Sequence, residues 1–148
     1  MISLLYMYKM SLLWESFPRE VIFMTLEEIM TENPIWVNPT TTASAAARQM
    51  LRSNLGGLPV CSDSGKLCGY ITDRDLALRC LAAEEPGATA VGRIMTRQVL
   101  SATPDWEVRS ARRLMVEKNL HRLPVTVDGK LVGMVTMADI VASQSDTH

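Results

Sequence analysis

Two short stretches carry the side chains best suited to chemistry on a ligand. Gly69-Tyr-Ile-Thr72-Asp-Arg-Asp75 and Gly133-Met-Val-Thr136-Met-Ala-Asp139 share the pattern G-x-h-T-x-x-D, where h is aliphatic. A threonine followed three positions later by a carboxylate is a helix start: the hydroxyl caps the helix and the acid reaches back to the cap's amide. That structural role alone accounts for Thr72, Asp75, Thr136 and Asp139. The same geometry also suits a ligand. The first amides of a helix are free donors with partial positive charge, which favours phosphate. A first-turn carboxylate can accept both hydroxyls of a vicinal diol such as ribose, in charge-assisted bonds of about 1.5–3 kcal/mol. The threonine hydroxyl can serve the sugar or the first phosphate. Arg74 lies inside the first copy of the motif, where the second copy has Ala138.

Catalysis and metal binding have little to stand on. The only histidines are His121 and His148, and there is no H-x-x-x-H, C-x-x-C or nucleophile elbow. No catalytic residue, metal ligand or obligatory cofactor is therefore expected. Cys61, Cys68 and Cys80 are odd in number and confined to the first half. They read as reduced apolar fillers in a cytoplasmic protein, not as a disulfide framework. A three-residue turn Asp63-Ser64-Gly65 would set Ser62 opposite Lys66, Cys61 opposite Leu67 and Val60 opposite Cys68. The thiols of Cys61 and Cys68 would then lie on opposite faces of the hairpin.

The paired motifs belong to a duplication. Aligning Ile29–Leu76 with Ile94–Ile140, with Ser64 skipped, gives 19 identities in 47 pairs. IMT (Ile29–Thr31, Ile94–Thr96) opens each copy, and LPV (Leu58–Val60, Leu123–Val125) precedes each hairpin. A repeat of this length fixes the architecture. The expected organisation is an extension over 1–24, a first repeat over 25–83, a linker over 84–89 marked by Pro86 and Gly87, and a second repeat over 90–148. At 148 residues, 47% hydrophobic and a formal charge of -1, the chain suits one domain or two half-domains sharing a core. Neither a disordered tail nor an overall polyanion binder fits. Locally, Arg93–Arg122 holds seven Lys/Arg against three Asp/Glu. Ile2–Trp14 is apolar but interrupted by Lys9, too short to span a bilayer, and without signal-peptide features. It reads as a dispensable extension, with Met24 as the alternative start, or as a helix that docks on a neighbour or a membrane surface.

Each repeat predicts strand–helix–strand–strand–helix after a short leading helix. Thr25-Leu-Glu-Glu28 is a capping box, and Ile35–Val37 a strand ending at Pro39. Ala43, Ala46, Ala47, Met50 and Leu51 fall at helical spacing, as do Val108, Ala111, Met115 and Val116. Asp128-Gly129 marks a two-residue hairpin, and a helix runs from about Asp73 to Leu81. The strand–helix–strand part should be a right-handed parallel crossover. The fold class is thus α/β (α+β), two repeats packed sheet to sheet about a pseudo-two-fold axis, because one three-stranded sheet cannot cover its bare face alone.

With IMT, LPV and G-x-h-T-x-x-D each present twice in order, Thr25–Val141 resembles the CBS-domain family as a tandem pair, a Bateman module. The resemblance implies a regulatory module that binds AMP, ADP, ATP or S-adenosylmethionine in a cleft between the repeats, modulates a partner protein and commonly forms a homodimer through its helices. Asp75 and Asp139 would hold ribose beside Thr72 and Thr136. Adenine would rest on Val37 and Leu58, or on Ala102 and Leu123. His121-Arg122 before the second LPV resembles the phosphate-facing pair of the γ subunit of AMP-activated protein kinase. By the family pattern it would serve the Asp75 ligand, with Arg74 nearby, leaving Asp139 opposite Gly56-Gly57. One phosphorylated-nucleotide site at Asp75 and a weaker or different one at Asp139 follow. The alternative is a dimeric interaction module without nucleotide, docking a protein or nucleic acid through Arg109, Arg112 and Arg113; polyanion binding of that kind would fall steeply with salt.

Overall fold

The computed structural model of the chain describes residues 23–145, so the readings made for Ile2–Trp14 lie outside the described residues. The backbone divides into two compact units, and their borders are not those of the sequence repeats. Among described residues, unit 1 comprises 23–34, 101–127 and 132–145; unit 2 comprises 35–100 and 128–131. Each unit therefore combines the body of one repeat with the leader of the other.

In unit 2, Val37 makes a parallel bridge with Val60. The expected strand Ile35–Val37 shrinks to this one residue: Ile35 and Trp36 are exposed, and Pro34 and Pro39 supply no N–H to a ladder. Helix α2 (Ala43–Ser53) follows, preceded in the chain by α1 (Leu26–Ile29) and β1 (Thr31–Glu32) of unit 1. Thr42 Oγ1 caps α2 by accepting from Ala45 N, and Asn54 ends it in the left-handed region at φ 53°. The helix buries Ala43, Ala46 and Met50. Ala47 and Leu51, which share the apolar spacing, face outward, Leu51 at 82% exposure.

β2 (Gly57–Cys61) and β3 (Leu67–Thr72) form the antiparallel hairpin. Ser62 N donates to Lys66 O, and Cys61 stands opposite Leu67, as the turn predicted. Val60, however, pairs with Gly69 rather than Cys68. A bulge puts Cys68 outside the ladder, where its thiol donates to Val60 O at 3.3 Å. β3 runs into α3 (Asp73–Asp75) and then a π-helical stretch, Leu76–Leu81. The second repeat's leader completes the unit through a 3₁₀ turn, Val91–Arg93, and an antiparallel bridge from Thr96 to Tyr70.

Unit 1 repeats this plan. Ala102 makes a parallel bridge with Val125, α4 (Val108–Glu117) buries Val108, Ala111 and Met115, and β4 (Arg122–Val127) pairs with β5 (Lys130–Thr136). Positive φ at Asp128 and Gly129 gives the tight two-residue turn. α5 (Met137–Ser145) closes the unit. Here β1, from the first repeat's leader, pairs with β5, Thr31 opposite Met134. The leaders dock alike: Leu26 N donates to Trp106 O and Glu27 N to Pro104 O, just as Val91 N donates to Thr41 O and Gly92 N to Pro39 O.

Each unit has its own core. Leu26, Val108, Met115, Leu123, Val125, Val135 and Ile140 centre one; Val37, Met50, Leu58, Val60, Ile71 and Val91 centre the other. The motif glycines belong to these cores. A Cβ on Gly69 would run into the Met95 sulfur, and one on Gly133 into the Met30 sulfur. The Met of each IMT thus lies against the glycine of the other repeat's motif.

Candidate functional site

Both G-x-h-T-x-x-D motifs form closed capping boxes. Thr72 N donates to Asp75 Oδ2 at 3.0 Å, and Asp75 N to Thr72 Oγ1 at 3.0 Å. In the second copy Thr136 N donates to Asp139 Oδ2 at 2.8 Å, and Asp139 N to Thr136 Oγ1 at 3.1 Å. The structural role of these residues is real. It occupies one carboxylate oxygen of each acid and leaves Oδ1 outside the box. Asp75 retains 14% of its side-chain surface.

The residues before each LPV are tied to the helix start of their own repeat. Asp73 N donates to Gly56 O, and Met137 N to His121 O, both at 2.9 Å. His121 is exposed and Arg122 half-buried. Asp75 belongs to unit 2 and His121-Arg122 to unit 1; within unit 1 the backbone of the basic pair adjoins the Thr136–Asp139 start. Arg74 is exposed in the first turn, its amide donating to Asp73 Oδ1 at 2.8 Å.

The apolar residues expected to support adenine divide differently. Leu58 and Leu123 are 0% exposed and sit inside the two cores. Side chains so placed contribute to folding, and their role beside a base stays an expectation from the family resemblance. Val37 and Ala102 are also nearly covered, but each lies on the backbone bridge beside its β2 or β4 strand.

One charged neighbour of Asp75 escaped the sequence reading. Arg79 Nε lies 3.7 Å from Asp75 Oδ1, and its Nη1 donates to Ile94 O at 3.3 Å. An acid–base pair four apart on a helix is the sequence signal that would have found it. The second repeat has Ser143 at that position, with Oγ donating to Ile140 O. Elsewhere in unit 2, burial and then the neighbouring Cys68 push the Cys61 thiol up to about 11; all three cysteines are free. Arg109, a proposed polyanion contact, pairs with Glu107 at 3.5 Å. Among the described residues no His/Cys/Asp/Glu group is arranged to hold a metal ion, and no helix is long and apolar enough to cross a membrane.

The chain is 34% identical over 120 residues to the CBS domain-containing protein YhcV of Bacillus subtilis, covering 81% of this chain and 85% of that one. A crystal structure of CBSX2 in complex with AMP matches with a TM-score of 0.74 at 31% identity, covering 82% of this chain and 96% of the other. The CBS domain pair of protein MJ0100, in complex with 5′-methylthioadenosine and S-adenosyl-L-methionine, matches with a TM-score of 0.72 at 31% identity, covering 80% and 98%. The CBS-domain family model matches residues 26–81 and again 91–146, and the chain therefore belongs to the CBS-domain family, with two repeats in tandem.

Proposed function

We propose that this chain is a stand-alone regulatory module that binds an adenosine-containing ligand and modulates a partner protein. The observation that carries the reading is the state of the two motif acids. Each uses one oxygen to cap its helix and holds the other outside the box at a helix start. That oxygen suits a ribose diol, and the helix amides suit a phosphate. The similarity to pairs solved with AMP and with methylthioadenosine and S-adenosylmethionine supports an adenosyl ligand. Thr72, Asp75 and the backbone near Val37 form one candidate set; Thr136, Asp139 and the backbone near Ala102 form the other. The proposal carries no chemistry: ligand binding acts by favouring one of two conformations that a partner distinguishes. A cytoplasmic location belongs to the same reading.

Calorimetric titration of AMP into the Asp75→Ala variant tests the site, with an expected loss of about tenfold or more. Unchanged affinity removes Asp75 from the site. A thermal-shift panel of AMP, ATP, S-adenosylmethionine and NAD at low and high salt separates pocket binding, which persists, from polyanion docking, which falls away.

The module also pairs with a second copy in this proposal. Met50 and Met115, apolar helix residues compatible with either pairing or core, are core residues. The apolar side chains open on the helices of unit 2 are instead Leu51, Leu78 and Leu81. Sedimentation velocity should give a dimer in the wild type and a monomer in Leu51→Glu/Leu81→Glu; a wild-type monomer ends the dimer reading.

A further inference from the structure

We infer that Arg79 is the positioning residue for the diol-binding carboxylate, and that it makes the Asp75 site a preorganised ribose receptor; this rests on the ligand reading of Asp75 above. Three observations in unit 2 converge on it. The capping box fixes Asp75 through Oδ2. Arg79 Nε faces the remaining oxygen, Oδ1, at 3.7 Å. The same guanidinium is anchored from its other arm, Nη1 donating to Ile94 O at 3.3 Å. The planar fork of arginine allows one side chain to do both at once, which a lysine point charge does not. With both oxygens addressed, the carboxylate's rotation about its last bond is restrained before any ligand arrives, and that saves ordering cost on binding.

The local helix supports this role. Directly after Asp75 the helix widens into the π-helical Leu76–Leu81, with Ala82 N donating to Ala77 O. Single π-turns of this kind are rare and recur at functional sites. The second repeat continues as the α-helix Met137–Ser145 and has Ser143 in place of Arg79. The cation is therefore particular to one site, not part of the shared fold. Arg79 keeps 54% of its side-chain surface, so it stays free to adjust when a diol hydroxyl takes up Oδ1.

The test compares AMP with 2′-deoxy-AMP, which lacks one of the two hydroxyls, by calorimetry on the full chain. An Asp139→Asn background silences the second motif while keeping a capping acceptor. Arg79→Gln should weaken AMP about three- to tenfold, near the upper end expected for a part-exposed ion pair, and 2′-deoxy-AMP less than about twofold. In Asp75→Asn, adding Arg79→Gln should change AMP affinity no further, because the two act as a unit. Equal losses for both nucleotides, or full additivity with Asp75→Asn, overturns the inference. If Asp75→Asn alone leaves AMP binding intact, the ligand reading of Asp75 fails instead. Should Arg79→Gln not fold, Arg79→Lys replaces it. Lysine keeps the charge but not the fork, so a loss confined to AMP supports the inference and wild-type affinity for both nucleotides overturns it.

Discussion

The two units are the same solution reached twice with different margins. Their scaffolds share a leader docked through paired amide donors, a parallel bridge beside a central strand, a hairpin and a capped helix. They differ at the rim of the motif. Unit 2 follows Asp75 with a π-turn and Arg79, whereas unit 1 follows Asp139 with a regular helix and Ser143. Unit 2 buries the thiol of Cys61 where the aligned residue in unit 1 is Thr126, also buried. Duplication has thus kept the backbone hydrogen bonds of the leaders and the parallel bridges, since a buried amide without a partner is expensive. It has left free the side chains that meet a ligand or merely fill space.

The largest expected effect probes the scaffold itself. A Cβ at Gly69 would meet Met95 and also the Thr96 backbone oxygen at 2.9 Å. A Cβ at Gly133 would meet only the side chain of Met30. Flexible methionines can move, but Thr96 O is held by the Tyr70 amide. Gly69→Ala should therefore cost about 1–3 kcal/mol, in the range of overpacking, and Gly133→Ala less. Urea unfolding of both variants measures the gap. Equal costs would show that the leader in unit 2 shifts as readily as the methionine in unit 1.

The architecture was largely legible in the chain because the repeat was. The crossover, the hairpins, the capping boxes at Thr25, Thr72 and Thr136, and the tight turn at Asp128-Gly129 follow from local rules in which residue type dictates backbone geometry. What escaped were matters decided at a distance. Nothing local in IMT says that its methionine lies on the other repeat's glycine, or that Thr31 adds to β5. The adenine role of the LPV leucines is implied by the family resemblance alone, which does not say how far the core closes over each side chain; Leu58 and Leu123 have no accessible surface. The bulge at Cys68 was invisible because a one-residue slip in a hairpin depends on packing, not on the turn sequence. Arg79 was overlooked beside a more familiar pattern.

The next effect compares the ligand sites. With AMP as titrant, Asp75→Ala should cost about tenfold, or ~1.4 kcal/mol, and Asp139→Ala less than about threefold. A larger loss from Asp139→Ala than from Asp75→Ala would reverse the assignment of the two sites.

The smallest effect concerns the thiol that one unit has and the other lacks. Burial pushes Cys61 from 9.0 up to about 11, with Cys68 adding to the shift. The folded state then holds its proton more tightly than the unfolded chain. By linkage the associated stability is complete below pH 9.0 and is lost as pH rises through the window from 9.0 to about 11. Cys61→Thr, which borrows the residue of the second repeat, removes that titration and retains a small side chain. Its unfolding free energy should fall less steeply than the wild type's across this window, while the two run parallel at lower pH. Only the difference between the two curves reports Cys61. Parallel curves throughout would mean that the thiolate is solvated in the folded state, and that the unit 2 core at Cys61 opens more readily than its burial implies.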